Sequence, residues 1–116
     1  MQGTMKVFTP GELMTQTQIY EFDRPIQLEE LQAAVGGYIE PVPRFTTIWD
    51  DAAKLYVECI AFCNEEGKLH DLPINPVATA LWNEAVSGPS WRKPIADVLM
   101  GPVAVVTGDA EFMAEL

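Results

Sequence analysis

Apolar positions recur along this chain in two periods, with polar punctuation between them. Residues 17–22 (TQIYEF) set β-branched and aromatic side chains among polar ones, which predicts a strand. Residues 5–8 form a short apolar run ended by Thr9-Pro10-Gly11, a first strand and its turn. Residues 55–63 (LYVECIAFC) are nearly all apolar and rich in Val, Ile, Tyr, Phe and Cys. Such a run predicts one long central strand covered on both faces. Asn64-Glu65-Glu66-Gly67 follows as a hairpin connection, with residues 68–72 as the returning strand. Residues 38–42 also predict a strand, limited by Pro41 and Pro43 to pairing on one side. Residues 96–100 and 103–107 give one bent strand or two around Gly101-Pro102.

The helical period appears in Leu28–Val35, where Leu28, Leu31 and Val35 make a stripe. Glu29 and Glu30 suit the positive end of that helix dipole, and Gly36-Gly37 stop it. Asn75-Pro76 opens a second helix, asparagine as N-cap and proline at the first helical position. Its predicted stripe is Val77, Leu81 and Ala85, with Trp82 beside it and Gly88-Pro89 closing it. Residues 87–94 (SGPSWRKP) read as a loop, and Asp109 caps a short C-terminal helix. Residues 44–54 give no clear element, and Asp50-Asp51 suggest a turn. The order predicts one α+β domain over residues 1–116: a mostly antiparallel sheet of about five strands, two helices on one face and a short C-terminal helix. Met5 is an alternative start, which would make residues 1–4 a leader.

Composition narrows the function classes. The formal net charge of -10 repels bare phosphate backbones, so direct nucleic-acid binding is disfavoured, whereas mimicry of nucleic acid is not. Glu12, Glu21, Asp23, Glu29, Glu30 and Glu40 concentrate in the first third and are the candidate acidic surface. Acidity for solubility alone accounts for the same residues. Cys59 and Cys63 would lie about 13 Å apart on an extended strand, at roughly 3.3 Å per residue, too far for a disulfide. They read as reduced, semi-buried thiols in a cytoplasmic protein. With His70 as the single histidine, no zinc set is complete, and no cofactor is expected. No run of about 18 apolar residues offers a membrane span.

Candidate chemistry is sparse. His70-Asp71 has the composition of a base and its orienting carboxylate, but no nucleophile is placed by sequence, and a surface polar pair accounts for it. Glu65-Glu66 and Asp50-Asp51 lack the ligand number of a cation loop and read as solvated turn acids. Gly36-Gly37 follows a helix, so the dipole there disfavours phosphate. Asn75 at a helix start, with Lys68 and His70 upstream, is the candidate anion or small-ligand site; a simple N-cap is the plainer reading. Trp91, Arg92 and Lys93 combine an aromatic ring with two cations and are candidates for a nucleobase or phosphate. Trp49 and Trp82 read as packing residues.

The helix running into Gly36-Gly37-Tyr38-Ile39-Glu40, the strand into Asn64-Glu65-Glu66-Gly67-Lys68, the start at Pro73-Ile74-Asn75 with Ala78-Thr79, and Asp97, Val98, Gly101, Val105 and Val106 form an ordered set. In this order and spacing it resembles a small domain-of-unknown-function family carried by bacteriophages and plasmids, over roughly residues 17–110. The resemblance implies a small, cytoplasmic, non-enzymatic accessory protein and brings no catalytic residues. Pro76 and the SGPSWRKP loop depart from the pattern. The expected function is binding of a host protein, as an anti-defence factor or a DNA mimic. The alternatives are sequestration of a nucleotide-like signal, at a pocket that a homo-oligomer would complete, and a hydrolase.

Overall fold

The last strand in the chain is the middle one in space. The computed structural model describes residues 1–87 and 97–116. Its main sheet has the order β2-β1-β7-β6-β3, with every neighbouring pair antiparallel. These strands are β1 (Gly3–Thr9), β2 (Gln16–Phe22), β3 (Ile39–Pro41), β6 (Ile60–Asn64) and β7 (Val103–Gly108). A second, two-stranded sheet is formed by β4 (Thr47–Asp50) and β5 (Leu55–Glu58). The helices are α1 (Leu28–Val35), α2 (Pro76–Ser87) and α3 (Ala110–Ala114). The expected α+β class, five antiparallel strands and short C-terminal helix are all present. Gly3 and Thr4, which a start at Met5 would place in a leader, pair within β1.

β7 explains the two-sided core. Successive side chains of a strand point to opposite faces. Val103 and Val105 accordingly join one buried cluster, and Ala104 and Val106 the other. The first cluster is covered by α2 through Ala78, Trp82 and Val86, and by Phe45 and Ile48 ahead of and within β4. The second is covered by α1 through Leu31 and Val35, and by α3 through Phe112. The two long helices therefore lie on opposite faces, where the sequence predicts one shared face. A valine-rich central strand needs cover on both sides, because each buried valine is worth about 1.5–3 kcal/mol.

Four further expectations change. The run 55–63 is not one strand. Leu55 and Tyr56 in β5 are half-exposed, and the chain bends at Cys59, whose N–H bonds Thr46 O at 2.9 Å, before β6 enters the main sheet. Residues 68–72 do not return as a strand. They close a single helical turn: Leu72 N–H bonds Gly67 O, Asp71 N–H bonds Lys68 O, and Asp71 takes a left-handed φ of 53°. That bonding pattern is a Schellman closure with aspartate in the glycine position. The described part of 96–100 contributes one bridge, Met100 to Ile74, and no strand. In α2 the buried stripe is Ala78, Trp82 and Val86, one residue on from the predicted Val77, Leu81 and Ala85. One residue turns a helix by about 100°. The indole N–H of Trp82 donates to Pro43 O at 2.8 Å and sets that rotation.

α1 is read correctly at its ends, although Leu28 at its first position is 53% exposed. Gly36 has φ 77°, which a side chain resists, and both its N–H and that of Gly37 bond Gln32 O. At the other end the Glu30 carboxylate accepts from Gln27 N–H at 3.0 Å and from both guanidinium nitrogens of Arg24, at 2.7 and 3.0 Å. Arg24, with the backbone N–H of Gln27, pulls the Glu30 carboxyl down to about 2. A depressed carboxylate contributes stability above its unfolded value, about 4.3, and that contribution fades as pH falls towards 2. Glu30→Gln should cost about 1 kcal/mol at pH 7, the usual scale for a half-exposed pair with a helix-start contact. Denaturant titrations at pH 7 and near pH 2.5 should show the two proteins converging at the lower pH; a constant gap would exclude the ionised pair as its cause.

Candidate functional site

Two of the segments singled out in the sequence, Gly36-Gly37-Tyr38 and the turn that starts at Asn64, meet at one corner, where α1 ends and β6 leaves the sheet. Asn64 joins them. Its Nδ2 donates to Val35 O at 3.2 Å, and its Oδ1 accepts from Glu66 N–H at 2.8 Å. Glu65 N–H bonds Tyr38 O at 2.9 Å. A Cβ on Gly37 would stand 2.8 Å from Asn64 Nδ2, so the Asn64 side chain lies directly against the Gly37 backbone. Local turn chemistry on both sides thus builds one surface.

Two hollows flank this corner. The larger, about 510 Å³, is lined by Gln32, Gly36, Gly37, Tyr38, Glu66 and His70 among others. His70 Nε2 stands 2.8 Å from Glu66 Oε2, so the carboxylate beside the imidazole is Glu66 and not Asp71. No serine or cysteine lines this hollow among the described residues. The smaller, about 200 Å³, is lined by Glu40, Val42, Cys63, Lys68, Trp82 and Asp97 among others. Lys68 pairs there with Asp97, and this bond, with Val98 N–H, holds the Asp97 carboxyl below its ordinary value. Burial pushes the Cys63 thiol up to about 11, with Glu40 adding to the effect, and Cys59 to about 12. Both cysteines are free and protonated at neutral pH, which leaves them poor nucleophiles.

The predicted site residues separate in space. Asn75 is fully buried. Its Nδ2 donates to Phe8 O at 2.8 Å and Gly101 O at 3.0 Å, and its Oδ1 caps α2 by accepting from Ala78 N–H at 3.1 Å. The side chain is a bolt between β1, α2 and the loop before β7. Lys68 and His70 line different hollows, and Asn75 lines neither. Trp91, Arg92 and Lys93 lie outside the described residues. Of the acids, Glu21 is on β2 and Glu40 on β3, the two opposite edges of the sheet, about 19 Å apart at roughly 4.8 Å per strand spacing. Asp23 follows β2, and Glu29 and Glu30 open α1, with Glu30 held by Arg24. Glu65 and Asp51 are exposed turn acids, and Asp50 Oδ1 accepts from Ala52 and Ala53 N–H at 3.0 and 3.3 Å.

Tyr38 and Leu69 were missed by sequence reasoning. They are 68% and 79% exposed at this corner. The signal was available for Leu69: a leucine between Lys68 and His70 in a turn has no strand partner to cover it. Trp49, expected to pack inside, is 40% exposed and meets Tyr56 edge-on at 5.2 Å. Among the described residues no group of three or more His, Cys, Asp and Glu side chains is arranged to hold a metal ion, and no helix is long and apolar enough to cross a membrane. Comparison with curated proteins and with solved structures yields no match. A family model does match, over residues 5–115, nearly the whole described fold and the corner within it. The chain belongs to that family, described as a domain of unknown function, DUF3846.

Proposed function

We propose that this protein works by binding a partner protein at the corner formed by Tyr38, Asn64, Glu66, Leu69 and His70, as a non-enzymatic accessory factor of the kind borne by phages and plasmids. The observation that carries the reading is the 68% exposure of Tyr38, which lines a hollow of about 510 Å³, with Leu69, 79% exposed, next to His70 in the turn that lines the same hollow. Exposed tyrosine beside a concavity is the composition of a binding hot spot. Glu65 and Glu66 frame it, and the chain carries a net charge of -10, so the partner surface is a basic one. A host protein that itself handles nucleic acid has such a surface, which is the sense in which the reading includes anti-defence action in the cytoplasm. Reduced Cys59 and Cys63 suit that compartment. The separation of Glu21 from Glu40 favours this corner over a continuous acidic face that imitates DNA.

The test is capture from a bacterial host extract with a photo-crosslinker placed at position 38. One host protein should crosslink there, and Tyr38→Ala with Leu69→Ser should lower its recovery at least tenfold while the melting temperature holds. Unchanged recovery by the double variant would remove this corner from the reading.

A further inference from the structure

The two edges of the main sheet are defended very differently. β3 offers an edge of only three residues, one of them Pro41, and Pro43 follows two positions on. Short length and proline are the usual means of blunting an edge. β2 offers an edge of seven residues, QTQIYEF, with no proline, lysine or arginine and a single charge, Glu21. Every β2 residue except Phe22 is exposed; Ile19 is 60% and Tyr20 43% accessible. A strand buries its backbone edge only by pairing, and among the described residues β2 pairs on one side alone, with β1. In a chain of net charge -10, this is the long, nearly uncharged, undefended edge.

We infer that β2 is a self-pairing edge, and that its occupant is the β2 strand of a second copy of this chain, antiparallel and centred on Ile19. The sequence is complementary to itself in that register. Ile19 faces Ile19 of the second copy across the two-fold axis, Tyr20 faces Gln18, and Phe22 faces Gln16. Both acids of the segment fall opposite threonines: Glu21 opposite Thr17, and Asp23 opposite Thr15. Met14 and Leu13, 73% and 98% exposed, extend over Arg24 and Pro25 of the second copy. The axis is perpendicular to the sheet, so like faces lie on the same side. The hollow of about 290 Å³ that joins Ile19 and Glu21 to Trp49 is then doubled around the paired isoleucines. The two five-stranded sheets become one continuous sheet, and the edge disappears.

Sedimentation of the full chain at about 100 µM, in about 0.05 M and 0.5 M salt, tests this. A dimer is expected, and it should tighten with salt, because screening removes repulsion between two bodies of charge -10. A basic extended peptide on the same edge would show the opposite salt trend, and the protein alone would then be monomeric. Thr17 variants fix the register: Thr17→Lys places a cation opposite Glu21 twice per dimer and should tighten it about fivefold, and Thr17→Glu should weaken it about fivefold. Thr17 is exposed, so at a protein concentration low enough to leave only monomer both variants should keep the wild-type unfolding midpoint. Ile19→Cys should crosslink between copies under oxidation. A monomer at both salt concentrations overturns the inference, as do Thr17 variants that shift the dimer in the same direction or not at all.

Discussion

Asn75→Ala is expected to lower stability by about 3–5 kcal/mol, the largest loss for any single polar side chain here. The substitution withdraws two donors from the carbonyls of Phe8 and Gly101 and the cap from Ala78 N–H, all at a site with no access to water. An unsatisfied buried group costs about 1–3 kcal/mol and a lost cap about 1. For a domain of this size the melting temperature should fall by roughly 12–20 °C, at about 4 °C per kcal/mol. A loss below about 1 kcal/mol would mean that water or a shifted backbone replaces these bonds. Asn75→Asp separates the contributions. It keeps the cap acceptor and turns two donor contacts into oxygen–oxygen oppositions, so at neutral pH it should be at least as damaging as alanine. Relative to wild type at the same pH, it should recover in part on acidification, when a protonated carboxyl regains one donor.

Phe112→Ala should cost about 3–5 kcal/mol, through lost burial and the cavity left behind. Phe112 is 1% exposed and is the buried residue of α3. Its ring lies against two glycines at the end of the sheet. A Cβ on Gly3 would stand 2.1 Å from the ring, and one on Gly108 2.5 Å. Gly3→Ala therefore forces the ring out and should cost about 1–3 kcal/mol by itself. The informative measurement is the double variant. With the ring gone, the added methyl has room, so Gly3→Ala with Phe112→Ala should cost less than the sum of the two by about 1 kcal/mol or more. Strict additivity in urea titrations would show that the damage at Gly3 comes from the strand backbone and not from the ring.

The parts of this fold that sequence makes legible are those whose signals are local. β2 carries β-branched and aromatic residues, α1 has acids at its start and glycine at its end, and Asn75-Pro76 opens α2 as expected. What misleads is tertiary. The run 55–63 contains no glycine or proline, so nothing in it announces the bend at Cys59; the bend exists because Thr46 O takes the Cys59 N–H. A signal for β4 was present in Thr46, Thr47, Ile48 and Trp49, β-branched and aromatic, ahead of the Asp50 turn. Residues 68–72 look extended by composition, yet Asp71 adopts the left-handed geometry that aspartate tolerates better than most residues. In α2, Trp82 outweighs Val77 and Leu81 because its indole both fills the core and donates to Pro43 O.

The candidate site was half legible for the same reason. Each of its turns is written in adjacent residues, but the contacts of Asn64 with Val35 and Glu66 depend on where β6 delivers the chain after the bend. The acidic stretch reads as a unit in sequence and divides in space, because α1 carries the chain from one edge of the sheet to the other between Glu21 and Glu40. Asn75 shows the reverse case. The residue type and its position at a helix start suit an anion, but the loop before β7 arrives from far along the chain and supplies a carbonyl at Gly101 instead.

The central position of β7 sets the order in which this protein can be finished as it is synthesised. β1 and β2 pair early, and β6 and β3 pair later, but no described strand joins these two halves of the sheet until residues 103–108 emerge. Until then β1 and β6 each carry an open hydrogen-bonding edge, and the faces that Val103, Ala104, Val105 and Val106 complete stay wet. A nascent chain in that state is two sticky fragments on one tether, open to aggregation and to chaperones. The sheet then closes in a single zipping step, with β7 drawn between two waiting strands.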